Sequence, residues 1–321
     1  MGHHVQGQIR TLSEPAAVLS CTAMALFYVA VLHVPTLVLR LPAPASFHDF
    51  MIRRFLCAAV SSVASLAFCA ALILPLSGAN GVRYSLSIYG IRLDYIWEAV
   101  VFPLALTSLM YAGSLVLKLL TVLESLKEHI NDVGGFSFEC IRDGFDEFVE
   151  VIRSAATNIM VWRNLVVAPL TEELVFRACM IPLLLCGGFG VYSVIFFCPV
   201  LFSLAHLNHW MEIYSRHKSF LKASMVIGLQ LGYTVIFGLY ASFLYIRTGH
   251  LLAPLVAHIF CNFMGLPVLF AGRKGVVTLA FVVGVAAFAY LLFPLTRPEL
   301  YNNRTDDCRC WHGYCSWNSS L

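Results

Sequence analysis

Charge is scarce in this sequence. Asp, Glu, Lys and Arg make up 12% of its 321 residues, where an ordinary soluble domain carries about 25%. Hydrophobic residues reach 59% and the mean hydropathy is +0.78. That balance excludes a soluble enzyme with one anchor and points to a polytopic membrane protein. There is no basic stripe and no zinc-finger spacing, so nothing suggests nucleic-acid binding. The start, MGHHVQGQIR, lacks the order of a cleaved signal peptide, and the first apolar run is long enough to stay in the membrane. No internal repeat is evident, which argues against a transporter built from inverted repeats.

Three proteolytic signatures are missing as well. All seven aspartates (Asp49, Asp94, Asp132, Asp143, Asp146, Asp306, Asp307) lie outside the apolar runs, which excludes an intramembrane aspartyl dyad. No H-E-x-x-H occurs, so the usual zinc protease helix is absent. No G-x-S-x-G elbow occurs either.

What is present is a set of apolar runs long enough to be membrane spans. Eight are expected: Pro15–Leu39, Phe55–Leu76, Trp97–Leu117, Leu165–Cys186, Gly188–Ala205, Ala223–Ile246, Leu251–Phe270 and Val276–Leu295. The fold class is therefore an all-α transmembrane bundle of about eight helices around a polar cavity. Very short turns make spans four and five, six and seven, and seven and eight antiparallel neighbours. Residues 1–297 read as a single integral membrane domain, and 298–321 as a short polar tail with cysteines. The one long insertion, 118–163, reads as a cytosolic loop. Its later part, Phe145–Trp162, carries apolar residues at helical spacing and predicts an amphipathic helix on the membrane surface or against the bundle.

Lysine and arginine set the orientation. One side of the expected topology holds seven, including Arg83, Arg92 and Arg247; the other holds thirteen, including Arg53, Arg54, Arg163 and Lys222. The positive-inside rule places the thirteen in the cytosol and both termini in a lumen or outside. The tail agrees: it carries two N-x-[ST] sequons, at Asn303 and Asn318, with Cys308, Cys310 and Cys315, which suit an oxidising lumen. Seven of the eleven cysteines lie in the spans and read as small packing hydrophobes.

The fourth span is the exception to the poverty of charge. It reads LVVAPLTEELVFRACMIPLLLC and holds Glu172, Glu173 and Arg177. A charge at mid-helix costs roughly 2.5–3.5 kcal/mol on insertion scales and marks function by default. Successive helical residues point about 100° apart, so the two carboxylates serve different places. Glu173 and Arg177 are i,i+4 neighbours with the acid first, the favourable order for an ion pair. Glu172 is left as the carboxylate facing something else.

Few other polar groups interrupt the spans. His206 ends span five, and His258 and Asn262, four residues apart, share one face of span seven. At about 1.5 Å per residue, Glu172 lies roughly 13 Å, Asn262 roughly 16 Å and His258 roughly 22 Å below the cytosolic edge. One cavity open to the cytosol could hold them all. A carboxylate shielded from water is a competent general base, and a histidine beside it can share the water and later pass a proton to a leaving amine. A second histidine and an amide can stabilise an oxyanion. That is an inventory for peptide hydrolysis by activated water. Glu172, His206 and His258 could alternatively hold a metal as a His₂Glu set. A non-enzymatic membrane scaffold and a proton-coupled transporter are the readings from other classes.

Glu172-Glu173-x-x-x-Arg177, Phe202-x-x-x-His206 and His258-x-x-x-Asn262, in that order, resemble the motif set of the CPBP intramembrane glutamate proteases, in particular the CAAX prenyl proteases of the Ras-converting type. The motifs cover 172–262, and the eight-span layout extends the resemblance over most of the chain. The resemblance implies an endopeptidase of the endoplasmic reticulum membrane. It would remove the last three residues of farnesylated or geranylgeranylated C-a-a-X proteins such as small GTPases, without a cofactor or a metal. By the same resemblance Glu172 and His206 would activate water, His258 and Asn262 would form the oxyanion hole, and Glu173 and Arg177 would be a structural ion pair at the site.

Overall fold

The computed structural model describes residues 12–77, 86–133, 138–208, 210, 213–215, 218–267 and 275–301. Among the described residues every regular element is a helix. Helix α1 spans Glu14–Leu37, interrupted by a 3₁₀ turn at Val31–His33. Ser13 caps it, accepting from Ala16 N–H, and Pro15 occupies the first turn, where no in-helix donor is needed. Helices α2 (Phe47–Ser77), α3 (Ile96–Met110), α4 (Ala112–Val133) and α5 (Phe138–Thr157) follow. Helix α6 runs through residues 159–186, then α7 (Val191–Ala205), α8 (Phe220–Thr248), α9 (Leu252–Met264) and α10 (Gly275–Leu295).

Four of these, α1, α2, α8 and α10, are long and apolar enough to cross a membrane, and α3 with α4 would make a fifth as one bent span. The expected span Trp97–Leu117 is broken: the chain turns by 80° between α3 and α4. The bend sits at Tyr111, where α10 crosses. A side chain at Gly284 would collide with the Leu109 backbone and the Ala112 methyl, so the absence of a Cβ lets α10 fill the inside of the bend. The expected spans five and seven appear as the shorter helices α7, 15 residues, and α9, 13 residues.

Helix α6 is the centre of the bundle. Its stretch from Val175 to Leu185 is buried because α1, α2, α7, α8 and α9 pack around it. A helix that is apolar all round needs neighbours on every side or lipid. Helix α10 shows the other solution: Leu279, Val282 and Val283 are exposed, as suits a helix bathed in hydrocarbon. Helices α7 and α8 close on each other where Gly238 meets the Pro199 ring; a Cβ on Gly238 would lie 2.8 Å from it. That approach carries Phe237 to the site.

The long insertion is more helical than expected. Helix α4 continues to Val133, and α5 occupies most of the rest. The predicted helix over 145–162 ends at Thr157. Asn158 is extended (φ −83°, ψ 110°), and its side chain accepts from Met160 N–H at 2.9 Å. It is therefore the N-cap of α6, and Ile159–Trp162 belong to that helix. Phe145, Val149 and Ile152 on α5 are exposed, so its apolar stripe faces outward rather than into the bundle. Two of the three tight turns hold: Gly188 after α6 and Gly249 after α8 take φ +88° and +62°, values glycine adopts without strain; the third, before α10, lies outside the described residues. All seven cysteines of the expected spans are free thiols, and Cys21, Cys69, Cys179, Cys198 and Cys261 are buried. The tail, with its sequons and cysteines, and His209 lie outside the described residues.

Candidate active site

Two π segments in α6 set where its charges point. In the first, Arg163–Val167, the Ala168 N–H bonds to the Arg163 carbonyl, a five-residue step. Pro169 has no N–H to give. The Asn164 carbonyl thus loses its in-helix donors at both i+4 and i+5. Asn262 Nδ2, on α9, donates to it at 2.9 Å. The second π segment, Leu174–Cys179, begins directly after Glu173. Such bulges recur at functional sites, and here they bracket the two glutamates.

Glu173 and Arg177 face the protein interior and are fully buried. Arg177 Nη1 donates to Glu173 Oε1 at 3.1 Å. The guanidinium lies over the Phe202 ring, 4.5 Å from its centroid, with Phe237 at 5.7 Å on another side. Removing a charge from water costs several kcal/mol unless partners replace the solvent; one carboxylate and two ring faces do so here. The spacing foretold the pair but not its third member. Glu173 Oε1 also accepts from His258 Nδ1 at 2.8 Å. The buried carboxylate therefore fixes the ring of a candidate catalytic histidine as well as a neighbouring arginine.

Glu172 points elsewhere, as the helical geometry requires. Its side chain is 15% exposed, and its Oε2 lies 3.7 Å from His258 Nε2. That is too long for a hydrogen bond, yet short enough for one water or substrate atom to touch both. His206 follows α7 in the 3₁₀ turn His206–Asn208. Its Nδ1 is 2.9 Å from the Phe202 carbonyl. A carbonyl only accepts, so Nδ1 carries a proton and the neutral ring keeps its lone pair on Nε2. Phe202 underlies the whole group: its ring meets His206 edge-to-face at 4.8 Å and His258 at 6.3 Å. Phe237 presses on His258 at 4.7 Å.

Two chambers meet at Glu172 and His206. The larger has a volume of about 310 Å³ and is lined by Glu172, His206, His258 and Asn262, so all four expected catalytic side chains border one cavity. Gln230, Tyr233 and Thr234 of α8 form its polar wall. The smaller has a volume of about 80 Å³ and a mostly apolar lining, including Tyr28, Met51, Phe55 and Phe176. Glu172, His206, Arg163 and Ala168 border both. Tyr28 is tied in from α1: Thr171 Oγ1 donates to the Val167 carbonyl at 2.8 Å and so accepts from the Tyr28 hydroxyl at 3.0 Å. Among the described residues no three His, Cys, Asp or Glu side chains converge in a way that could hold a metal ion. Glu172, His206 and His258 share a cavity, not a ligand geometry.

Sequence reasoning missed Phe237, the Glu173–His258 bond and the Asn164 carbonyl. Only the last had a signal, in the proline five residues on. An all-helical, multi-pass membrane protein with carboxylate, imidazole and amide groups around one internal cavity has the makings of an intramembrane hydrolase. Comparison with known proteins sharpens that class. Residues 154–264, which contain every candidate site residue, match the family model described as type II CAAX prenyl endopeptidase Rce1-like. The chain is 61% identical over 309 residues to CAAX prenyl protease 2 of Arabidopsis thaliana, covering 96% of this chain and 98% of the relative. It is 36% identical over 299 residues to CAAX prenyl protease 2 of Homo sapiens, covering 89% and 83%. The protein of that name from Caenorhabditis elegans is 30% identical over 212 residues, 64% of this chain and 72% of its own. No solved structure matches the chain. The chain belongs to the Rce1-like family of type II CAAX prenyl endopeptidases.

Proposed function

We propose that this chain hydrolyses the peptide bond after the prenylated cysteine of C-a-a-X proteins, with Glu172 and His206 activating the water. The observation that carries this reading is the position of Glu172: on the wall shared by the two chambers, 3.7 Å from a histidine that a buried carboxylate holds in place. Glu172 removes a proton from water as its oxygen attacks the scissile carbonyl. His258 and the second amide hydrogen of Asn262 donate to the tetrahedral oxyanion. Because His258 Nδ1 already donates to Glu173, its Nε2 donates only as the imidazolium; that cation and Arg177 then face the two carboxylates, Glu172 and Glu173. The proton held by Glu172 and His206 then passes to the leaving nitrogen, and the tripeptide departs with its new amine. No step requires a cofactor.

The same reading extends to the whole chain. Counting α6, α7 and α9 as spanning alongside α1, α2, α8, α10 and the bent α3–α4 pair gives eight spans. The lysine and arginine bias then turns the cavity to the cytosol and both termini to the lumen of the endoplasmic reticulum. The substrates are farnesylated or geranylgeranylated proteins, small GTPases among them, whose lipid partitions into the bilayer beside the cavity. Residues 1–297 form the single protease domain and 298–321 a lumenal tail. The test uses purified protein in detergent and a fluorogenic farnesylated C-a-a-X peptide, with and without a strong zinc chelator. Cleavage that survives the chelator and disappears in Glu172→Ala supports the mechanism. Cleavage lost to the chelator and restored by zinc makes the three side chains ligands instead, and no cleavage by folded protein favours a scaffold.

A further inference from the structure

The smaller chamber has a chemistry that the hydrolytic step does not use. Its walls are largely apolar, yet two arginines line it, Arg54 from α2 and Arg163 from α6. Glu172 is the one carboxylate among the residues that line it. The neighbouring Arg53 faces outward, where Nη1 donates to the Pro42 carbonyl at 2.7 Å. Arg54 turns the other way, its guanidinium 5.6 Å from the Phe50 ring centroid and its side chain on the chamber wall. Arg54, Arg163, Glu172 and Tyr28 all line this one chamber.

Resting on the proposed reaction, we infer that Arg54, assisted by Arg163, binds the C-terminal carboxylate of the substrate, and that the apolar walls of this chamber hold the two residues before it. An isoprenoid gives a guanidinium nothing to bind, whereas a peptide's terminal carboxylate matches its planar fork. The chamber opens at Glu172 and His206, where the scissile bond must lie, so the leaving tripeptide runs from the catalytic groups toward Arg54. The terminal carboxylate then sets how many residues are removed.

The test compares two farnesylated peptides that differ only in ending as a free acid or a carboxamide. A charge-assisted hydrogen bond is worth about 1.5–3 kcal/mol, so the wild-type enzyme should favour the acid by roughly tenfold or more in kcat/KM. Arg54→Gln should lose about that factor on the acid and leave the amide unchanged, which removes the preference, while Arg54→Lys keeps part of it. Unchanged amide cleavage shows in the same assay that the variant is folded. Equal cleavage of acid and amide by the wild type overturns the inference without any variant and leaves the endopeptidase reading intact. A uniform loss on both substrates in Arg54→Gln also overturns it, assigning Arg54 to Glu172 or to the fold. A variant that alters selection by prenyl length and not by terminal charge overturns it in favour of an isoprenoid chamber. Wild-type protein that cleaves neither peptide sinks the endopeptidase reading itself, and this inference with it.

Discussion

Two adjacent glutamates do opposite jobs because a helix turns by about 100° per residue. Glu173 is fully buried and shared between Arg177 and His258, whereas Glu172 reaches the cavity. Glu172→Ala should therefore cost at least roughly 10²–10⁴-fold in kcat, the usual worth of a general base, with little change in thermal midpoint. Glu173→Ala should behave differently. It leaves the Arg177 charge buried and unpaired, an error that costs about 3–5 kcal/mol, so the protein should melt earlier. Replacing both, as Glu173→Leu with Arg177→Met, should restore the melting temperature and not the activity, because His258 still lacks its anchor. Restored activity in that double variant would show that Glu173 serves the fold alone.

At the scale of the helix, α6 is shaped by what it cannot bond. Pro169 removes an N–H, the first π segment shifts the neighbouring bond to a five-residue step, and the orphaned Asn164 carbonyl recruits Asn262 from α9. The bulge thus ties the Asn262 amide to the helix that carries Glu172. Pro169→Ala returns the missing donor and favours a regular turn. Displacement by about 1 Å can cost roughly 10²-fold in rate, so this variant should fold normally and lose a large part of kcat, with KM little changed. Wild-type kinetics would mean that the bulge does not position the site.

At the scale of the molecule, the apolar exterior and the charge bias belong together. Large side chains such as Leu229, Ile236 and Val282 are exposed, which is tolerable only in lipid or detergent. The proposed orientation predicts that endoglycosidase treatment of membrane-expressed protein increases its gel mobility through Asn303 or Asn318; unchanged mobility withdraws that support. A second prediction concerns the end of the bundle at the α8–α9 turn. Burial and the nearby Arg92 cation hold the His250 pKa below its ordinary value. The Arg92 pairing holds that of Asp94 down too. A group depressed in the folded state is protonated more readily when unfolded, so stability rises with pH through its window. Its His250 contribution is complete above about 6.5, the unfolded value, and is lost as the pH falls toward the folded value. The thermal midpoint in detergent should drop below that pH, and drop less in His250→Gln.

The class of molecule and the candidates for its site are legible in the order of amino acids. Apolar runs separated by turns dictate a membrane helix bundle, because every backbone N–H and C=O must be paired within a span. Charged or polar groups that survive in such runs are few, and for that reason Glu172, Glu173, Arg177, His206, His258 and Asn262 stand out as candidates by reading alone. The i,i+4 pair was legible because it depends only on the pitch of one helix. Contacts between helices were not: that Glu173 holds His258, that Phe202 and Phe237 flank Arg177, and that Asn262 mends α6 all depend on how distant segments pack. Nor could hydropathy report the 80° bend at Tyr111, because a broken apolar run and a straight one have the same composition. The helix boundary at Asn158 was missed for a related reason, since a cap is a matter of one residue's backbone angles inside an otherwise continuous pattern. Local spacing fixes what lies on one helix face; only the packing of the bundle decides which faces meet.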